Sequence, residues 1–92
     1  MAEKDFSKLL YNAVMTLQTQ EECQHLFEDL CTPKEIKSIA QRFAVAKMLS
    51  EGRIYNDIVK ETGASTATIS RVNRTMSKGS RTVLERLRTT EE

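Results

Sequence analysis

Residues 55–75, YNDIVKETGASTATISRVNRT, decide the fold. They read as two short helices with a tight turn between them. In the first, Ile58 and Val59 are apolar, and Asn56, Asp57, Lys60 and Glu61 are polar. Gly63 stops it, because glycine tolerates the left-handed backbone that a helix end needs. Ser65 is placed to N-cap the next helix by accepting a backbone N–H. That helix carries Ile69, Val72 and Met76 on one stripe. Its other side carries Thr66, Ala67, Ser70, Arg71 and Arg74. A small first helix, a glycine turn and a second helix with an open face make the layout of a helix-turn-helix.

A plain corner of two helices also reads as helix, glycine, helix. The exposed face separates the two readings. A structural helix usually shows mixed charges to water, whereas no acid lies between Thr62 and Leu84. Small side chains let a helix approach base edges, and arginines meet phosphate or guanine.

Working outward, the 92 residues fit one small domain, 1–92, in which residues 1–31 are expected to dimerise and 55–75 to form the helix-turn-helix. Cys23 and Cys31 are expected on one helix, roughly 12 Å apart, too far for a disulfide within it. They read as small buried apolar residues in a reducing compartment. No signal peptide, long apolar run or lipidation motif at Met1-Ala2-Glu3 is present, so a cytoplasmic protein is expected, on the nucleoid when bound to DNA, and not at a membrane. The net charge of +1 hides a polarity. Glu3, Asp5, Glu21, Glu22, Glu28 and Asp29 face only Lys4 and Lys8 in the first third. From Ser65 to Arg88, the bases Arg71, Arg74, Lys78, Arg81, Arg86 and Arg88 face only Glu85. A basic part on an acidic body suits a nucleic-acid face.

A first helix is expected over residues 5–17, with Phe6, Leu9, Leu10, Ala13, Val14 and Leu17 in a stripe and Tyr11 and Met15 beside it. Apolar on more than one side, it is a candidate subunit interface. Thr19 and Glu22 form a capping box for a second helix bearing Cys23, Leu26, Phe27, Leu30 and Cys31. His25 falls on the other face and reads as a solvated residue. Thr32-Pro33-Lys34-Glu35 opens a third helix, with Thr32 as cap and Pro33 where a missing N–H costs nothing. Expected to bury Ile36, Ile39, Ala40, Phe43, Ala44 and Met48 or Leu49, it ends at Gly52. Gly79 reads as a breaker, Ser80 as a cap, residues 81–88 as a last helix and 89–92 as a frayed tail. Nothing reads as a strand, so the fold class is all-α.

No constellation for catalysis is legible. One histidine, no glycine-rich loop and no metal-ligand spacing leave no catalytic residue, metal or cofactor to expect.

The segment from Cys31 to Gly79 resembles the core of the Trp repressor family, most nearly its YerC/YecD-like branch. Thr32-Pro33 with Glu35, Arg42 in mid-helix, Gly52 at the helix end and Ala67-Thr68-Ile69-Ser70-Arg71 carry the resemblance. The resemblance extends to about Leu87, roughly three-fifths of the chain, and implies a six-helix all-α subunit in an intertwined homodimer. It also implies recognition helices in successive major grooves of double-stranded DNA, about 34 Å apart.

In the family, tryptophan is the corepressor, bound between the third helix and the recognition helix. By match, Thr32, Arg42, Arg71 and Thr75 belong to that effector pocket. Val72 departs from the family's glycine and adds three carbons to the ligand's space, an overlap costing ~1–3 kcal/mol or more in a close-packed setting. Tryptophan is therefore not the expected effector, and Val72 is expected to hold the recognition helix without one; a smaller ligand stays open. The DNA face departs too. Where the family has a base-reading arginine, the match is Asn56 counted back from Gly63, or Asp57 counted forward from Gly52. Thr66, Ala67, Thr68 and Ser70 would face the major groove, with Lys60, Arg74 and Lys78 near phosphates. The expected function is a dimeric, sequence-specific transcriptional regulator, a repressor by resemblance. The alternative is an interaction or assembly module that keeps the scaffold without reading DNA. RNA binding lacks a stacking platform of exposed aromatics.

Overall fold

A computed structural model describes residues 4–91, with the side chains of Lys78 and Glu91 outside the description. The reading of Met1-Ala2-Glu3, and the phosphate contact expected of the Lys78 side chain, lie outside the described residues. Six helices follow in order: α1 Ser7–Met15, α2 Gln20–Leu30, α3 Pro33–Ser50, α4 Tyr55–Thr62, α5 Thr66–Thr75 and α6 Lys78–Glu91. There is no strand among the described residues, so the all-α, six-helix expectation holds. No described helix is long and apolar enough to cross a membrane. The chain divides into two compact units, Met1–Ile36 and Lys37–Glu92.

The first unit is built from local signals. Thr19 accepts the Glu22 N–H at 3.1 Å, and the Glu22 carboxylate reaches back to the Gln18 N–H at 2.8 Å. The box thus closes one residue earlier than its usual N-cap partner. At α3 it closes fully: the Thr32 hydroxyl accepts from Glu35 N at 3.1 Å, and Glu35 accepts from Thr32 N at 2.8 Å. The Thr32 amide and hydroxyl hold the Glu35 carboxyl below the usual range, because their bonds favour its charged form. Asp5 is lowered in the same way by Ser7.

Hydrophobic contact does less in this unit. Neither α1 nor α2 has a buried residue. Phe6, Leu9, Leu10, Tyr11, Val14 and Met15 are all exposed, Met15 at 82%. Helix α1 is also shorter than expected, ending before Thr16, whose hydroxyl donates to the Ala13 carbonyl at 2.7 Å. Cys23 and Cys31 are free and half-buried rather than buried. His25 is exposed.

The second unit has a closed core. Val45, Ile58, Ala64 and Ile69 are buried together, and Met48, Leu49, Tyr55, Val59 and Val72 pack against them. Each fully buried Ile or Val is worth about 1.5–3 kcal/mol. The α3 contribution differs from expectation. Val45 and Ala46 are its buried residues, while Ile39, at 44% exposed, Ala40, and Phe43, at 40%, face outward. Apolar residues lie on several sides of α3; Val45 joins the core with α4 and α5, and Ala46 is buried outside that cluster.

Gly52 and Gly63 close α3 and α4 with positive φ, +77° and +74°. At Gly52 the Arg53 N–H reaches the Met48 carbonyl and the Gly52 N–H that of Leu49, both at 3.0 Å, the paired pattern of a Schellman end. The start of α6 corrects the expected break. Ser77 is its cap: its hydroxyl accepts from Ser80 N at 3.4 Å and its carbonyl from Arg81 N at 3.2 Å. Gly79 lies inside the first turn without positive φ, and the expected tail is helical to Glu91. Thr89 and Thr90 donate back to the Glu85 and Arg86 carbonyls.

Candidate nucleic-acid interface and effector cleft

Helix α4 ends when the Gly63 N–H reaches the Val59 carbonyl at 2.9 Å, a bond requiring the left-handed φ of Gly63. The Thr62 hydroxyl donates to the Ile58 carbonyl at 2.7 Å and accepts the Ala64 N–H at 3.1 Å. From α3, Gln41 Nε2 donates to the Thr62 carbonyl at 3.0 Å. Ala64 is buried, which anchors the turn in the core. Ser65 then caps α5 by accepting the Thr68 N–H at 3.1 Å. Across the pair, Asn73 Nδ2 donates to the Tyr55 hydroxyl at 3.4 Å. An Arg53–Glu61 ion pair of 2.7 Å ties the α3–α4 loop to the end of α4. The position of α5 is thus set by backbone bonds, a buried residue and two helices.

On α5, Ile69 turns into the core and Val72 packs against it. Thr66, Ala67, Arg71 and Arg74 are exposed, and Thr68 and Ser70 are half-buried. The Thr68 hydroxyl accepts from that of Ser65 at 3.1 Å, leaving its own proton to give. On α4, Asn56, Asp57 and Lys60 are exposed. Asn56 and Lys60, one turn apart, share a helix face. This surface offers small hydroxyls, a methyl and cations, the set that suits a groove flanked by phosphates.

Behind α5 lies a cleft of about 510 Å³ lined by Ser38, Gln41 and Arg42 of α3 and Thr68, Arg71, Val72 and Thr75 of α5. Four residues of the expected effector pocket, Arg42, Arg71, Val72 and Thr75, therefore meet there. Thr32 belongs to the other unit, as the cap of α3. Val72 is half-buried, lining the cleft while packing on the core. The Thr75 hydroxyl donates back to its own helix, to the Arg71 carbonyl at 3.0 Å. Ser38 and Gln41 escaped the sequence reading. Ser38 lies one turn before Arg42, and that spacing was the available signal.

Helical folding throughout, with two helices crossing at a capped glycine turn, defines the chain as a helix-turn-helix protein. It belongs to the Trp repressor family, whose model (Trp repressor protein) matches residues 6–91. It is 51% identical over 85 residues to the uncharacterised YerC protein of Bacillus subtilis (strain 168), covering 89% of this chain and 82% of YerC. A TrpR-like protein from Eubacterium eligens ATCC 27750 has a crystal structure 52% identical in sequence, with a TM-score of 0.82, over 87% of this chain and 86% of that one. A crystal structure of a candidate Trp repressor from Staphylococcus aureus is 42% identical, with a TM-score of 0.81, over 94% and 96%.

Proposed function

We propose that the protein is a homodimeric, sequence-specific DNA-binding regulator, a repressor, that works without tryptophan. The observation that carries this is the exposed, acid-free face of α5, held by caps and core at the open side of a rigid turn. Thr66, Ala67, Thr68 and Ser70 read base edges, Asn56 does so from α4, and Lys60 and Arg74 hold phosphates. Lys78 is a further phosphate contact, from charge and sequence position alone. Family membership supports the DNA reading and the pairing of two copies through residues 1–31. The uncovered apolar residues of α1 support the same pairing.

Val72 supports independence from tryptophan. A glycine at this position would open the wall of the cleft; here a branched side chain fills that space and joins the core. We place the protein in the cytoplasm, on the nucleoid when it is bound to DNA, because that is where such a regulator meets its DNA.

The test is DNA affinity against salt. Each phosphate contact contributes about 0.9 to the log–log slope. Arg74→Ala should lower affinity for all duplexes alike and reduce the slope by about that amount. Ser70→Ala should leave the slope unchanged and alter preference between sequences. Binding indifferent to salt and to both substitutions would instead favour an interaction module.

A further inference from the structure

We infer that Tyr55 and Asn73 are positioning residues, which together fix the rotation of α5 and so the direction in which the proposed base-reading side chains point. The Asn73 side-chain amide on α5 donates to the Tyr55 hydroxyl on α4 at 3.4 Å. Among the described residues it is the only side-chain hydrogen bond or ion pair that joins these two helices. The other restraints on α5 act at its start and middle. Ser65 caps it, and Ala64 is buried in the turn before it. Ile69 is buried and Val72 packs on the core. Beyond Val72, Asn73, Arg74 and Thr75 are all exposed.

Apolar burial is non-directional, whereas a hydrogen bond weakens steeply as its angle opens. The Tyr55–Asn73 bond is therefore the restraint that registers rotation of α5 about its own axis. Tyr55 supplies a fixed point for it: the residue is half-buried and packs against the core, and the bond lies at the surface. Asn73 is on the right face for it. Thr66, Ser70 and Asn73 follow one another at four and three residues, so they share one side of α5. A rotation that released Asn73 would re-aim Ser70 and Thr66 with it. On α4, Tyr55 directly precedes Asn56, so both helices assigned to base reading meet at this bond. The bond is long and exposed, which makes its contribution modest: its loss changes the pose of α5 without unfolding the chain.

The use of this pose in reading DNA rests on the proposed regulator; the pose itself is a property of the free chain. The experiment is measurement of residual dipolar couplings for the α5 amides of the full chain, with duplex affinity beside them. The variants are Tyr55→Phe, Asn73→Ala and the two combined. Tyr55→Phe keeps the packed ring and removes only the hydroxyl. Each single variant should turn α5 relative to α4 and leave the unfolding midpoint near that of the parent. Each should lower affinity for the preferred duplex about three- to tenfold and leave affinity for random duplexes unchanged. The combined variant should be no worse than either single one, because one shared interaction is lost once. Asn73→Asp should restore the parent couplings, since the phenol proton can then be given to the carboxylate. Couplings unchanged in both single variants overturn the inference, as do losses that add in the combined one. An equal loss on every duplex with parent-like couplings also overturns it, and makes the pair a backbone contact instead. If the parent chain reads no duplex, the regulator fails, and the couplings still decide the role of the pair.

Discussion

The two units of the chain solve the same problem unequally. In residues 37–92, α4 and α5 bring Ile58, Ala64 and Ile69 onto Val45, and a core closes. In residues 1–36 the helices are well capped, yet neither α1 nor α2 buries a residue. Caps satisfy backbone groups at helix ends, but short helices are marginal in water without an apolar face to pack. The contrast shows that sequence signals for a helix and for its burial are separate. The N-terminal helices are specified locally and complete their packing only against something else, which we take to be a second copy.

The largest expected effect lies where the core is closed. Ile69→Ala leaves a cavity and should destabilise the protein by about 2–5 kcal/mol in denaturant titration. Phe6→Ala, at a residue 66% exposed in the single chain, should then matter only through association. An equal loss for Phe6→Ala in a chain diluted to monomers would break the contrast. Next in size is Leu9→Glu, which places a charge in the proposed interface. It should raise the dimer dissociation constant about a hundredfold, or ~2.7 kcal/mol, in sedimentation equilibrium. An unchanged dimer would move the interface elsewhere.

A smaller effect belongs to the turn. A Cβ at Gly63 would meet only Gln41 Nε2, at 3.9 Å, so space is not the obstacle. The cost of Gly63→Ala is the left-handed backbone itself, about 1–2 kcal/mol by thermal or denaturant unfolding. Smallest is a pH effect at the start of α3. Because Glu35 is held below its ordinary range in the folded chain, its contribution is present above the unfolded value and is lost as pH falls through the folded one. Glu35→Gln should flatten that acid limb for the amide of Thr32 in an NMR titration. The same limb in the variant would assign it to another group.

The helix ends were the most legible part of the fold. Thr19, Thr32, Ser65, Gly52 and Gly63 act within a few residues of themselves, so sequence contains their whole physics. The face of α3 was less so. Ile39 and Phe43 make as good a stripe as Val45, Met48 and Leu49, and periodicity does not say which stripe meets a neighbour in the same chain. Gly79 was misread because a glycine stops a helix only where φ turns positive, and Ser77 supplied an earlier cap. In the cleft, Arg42, Arg71, Val72 and Thr75 came from likeness to a family. Ser38 carries only its one-turn spacing from Arg42 and Gln41 no mark at all; they join the cleft because α3 runs past α5.

Selection of bound duplexes from a random DNA library, with pure protein, no added ligand and near-physiological salt, tests the central claim most directly. The account predicts enrichment of a palindrome with half-sites about one helical turn apart. Enrichment that appears only after tryptophan is added, or none at all, would contradict it.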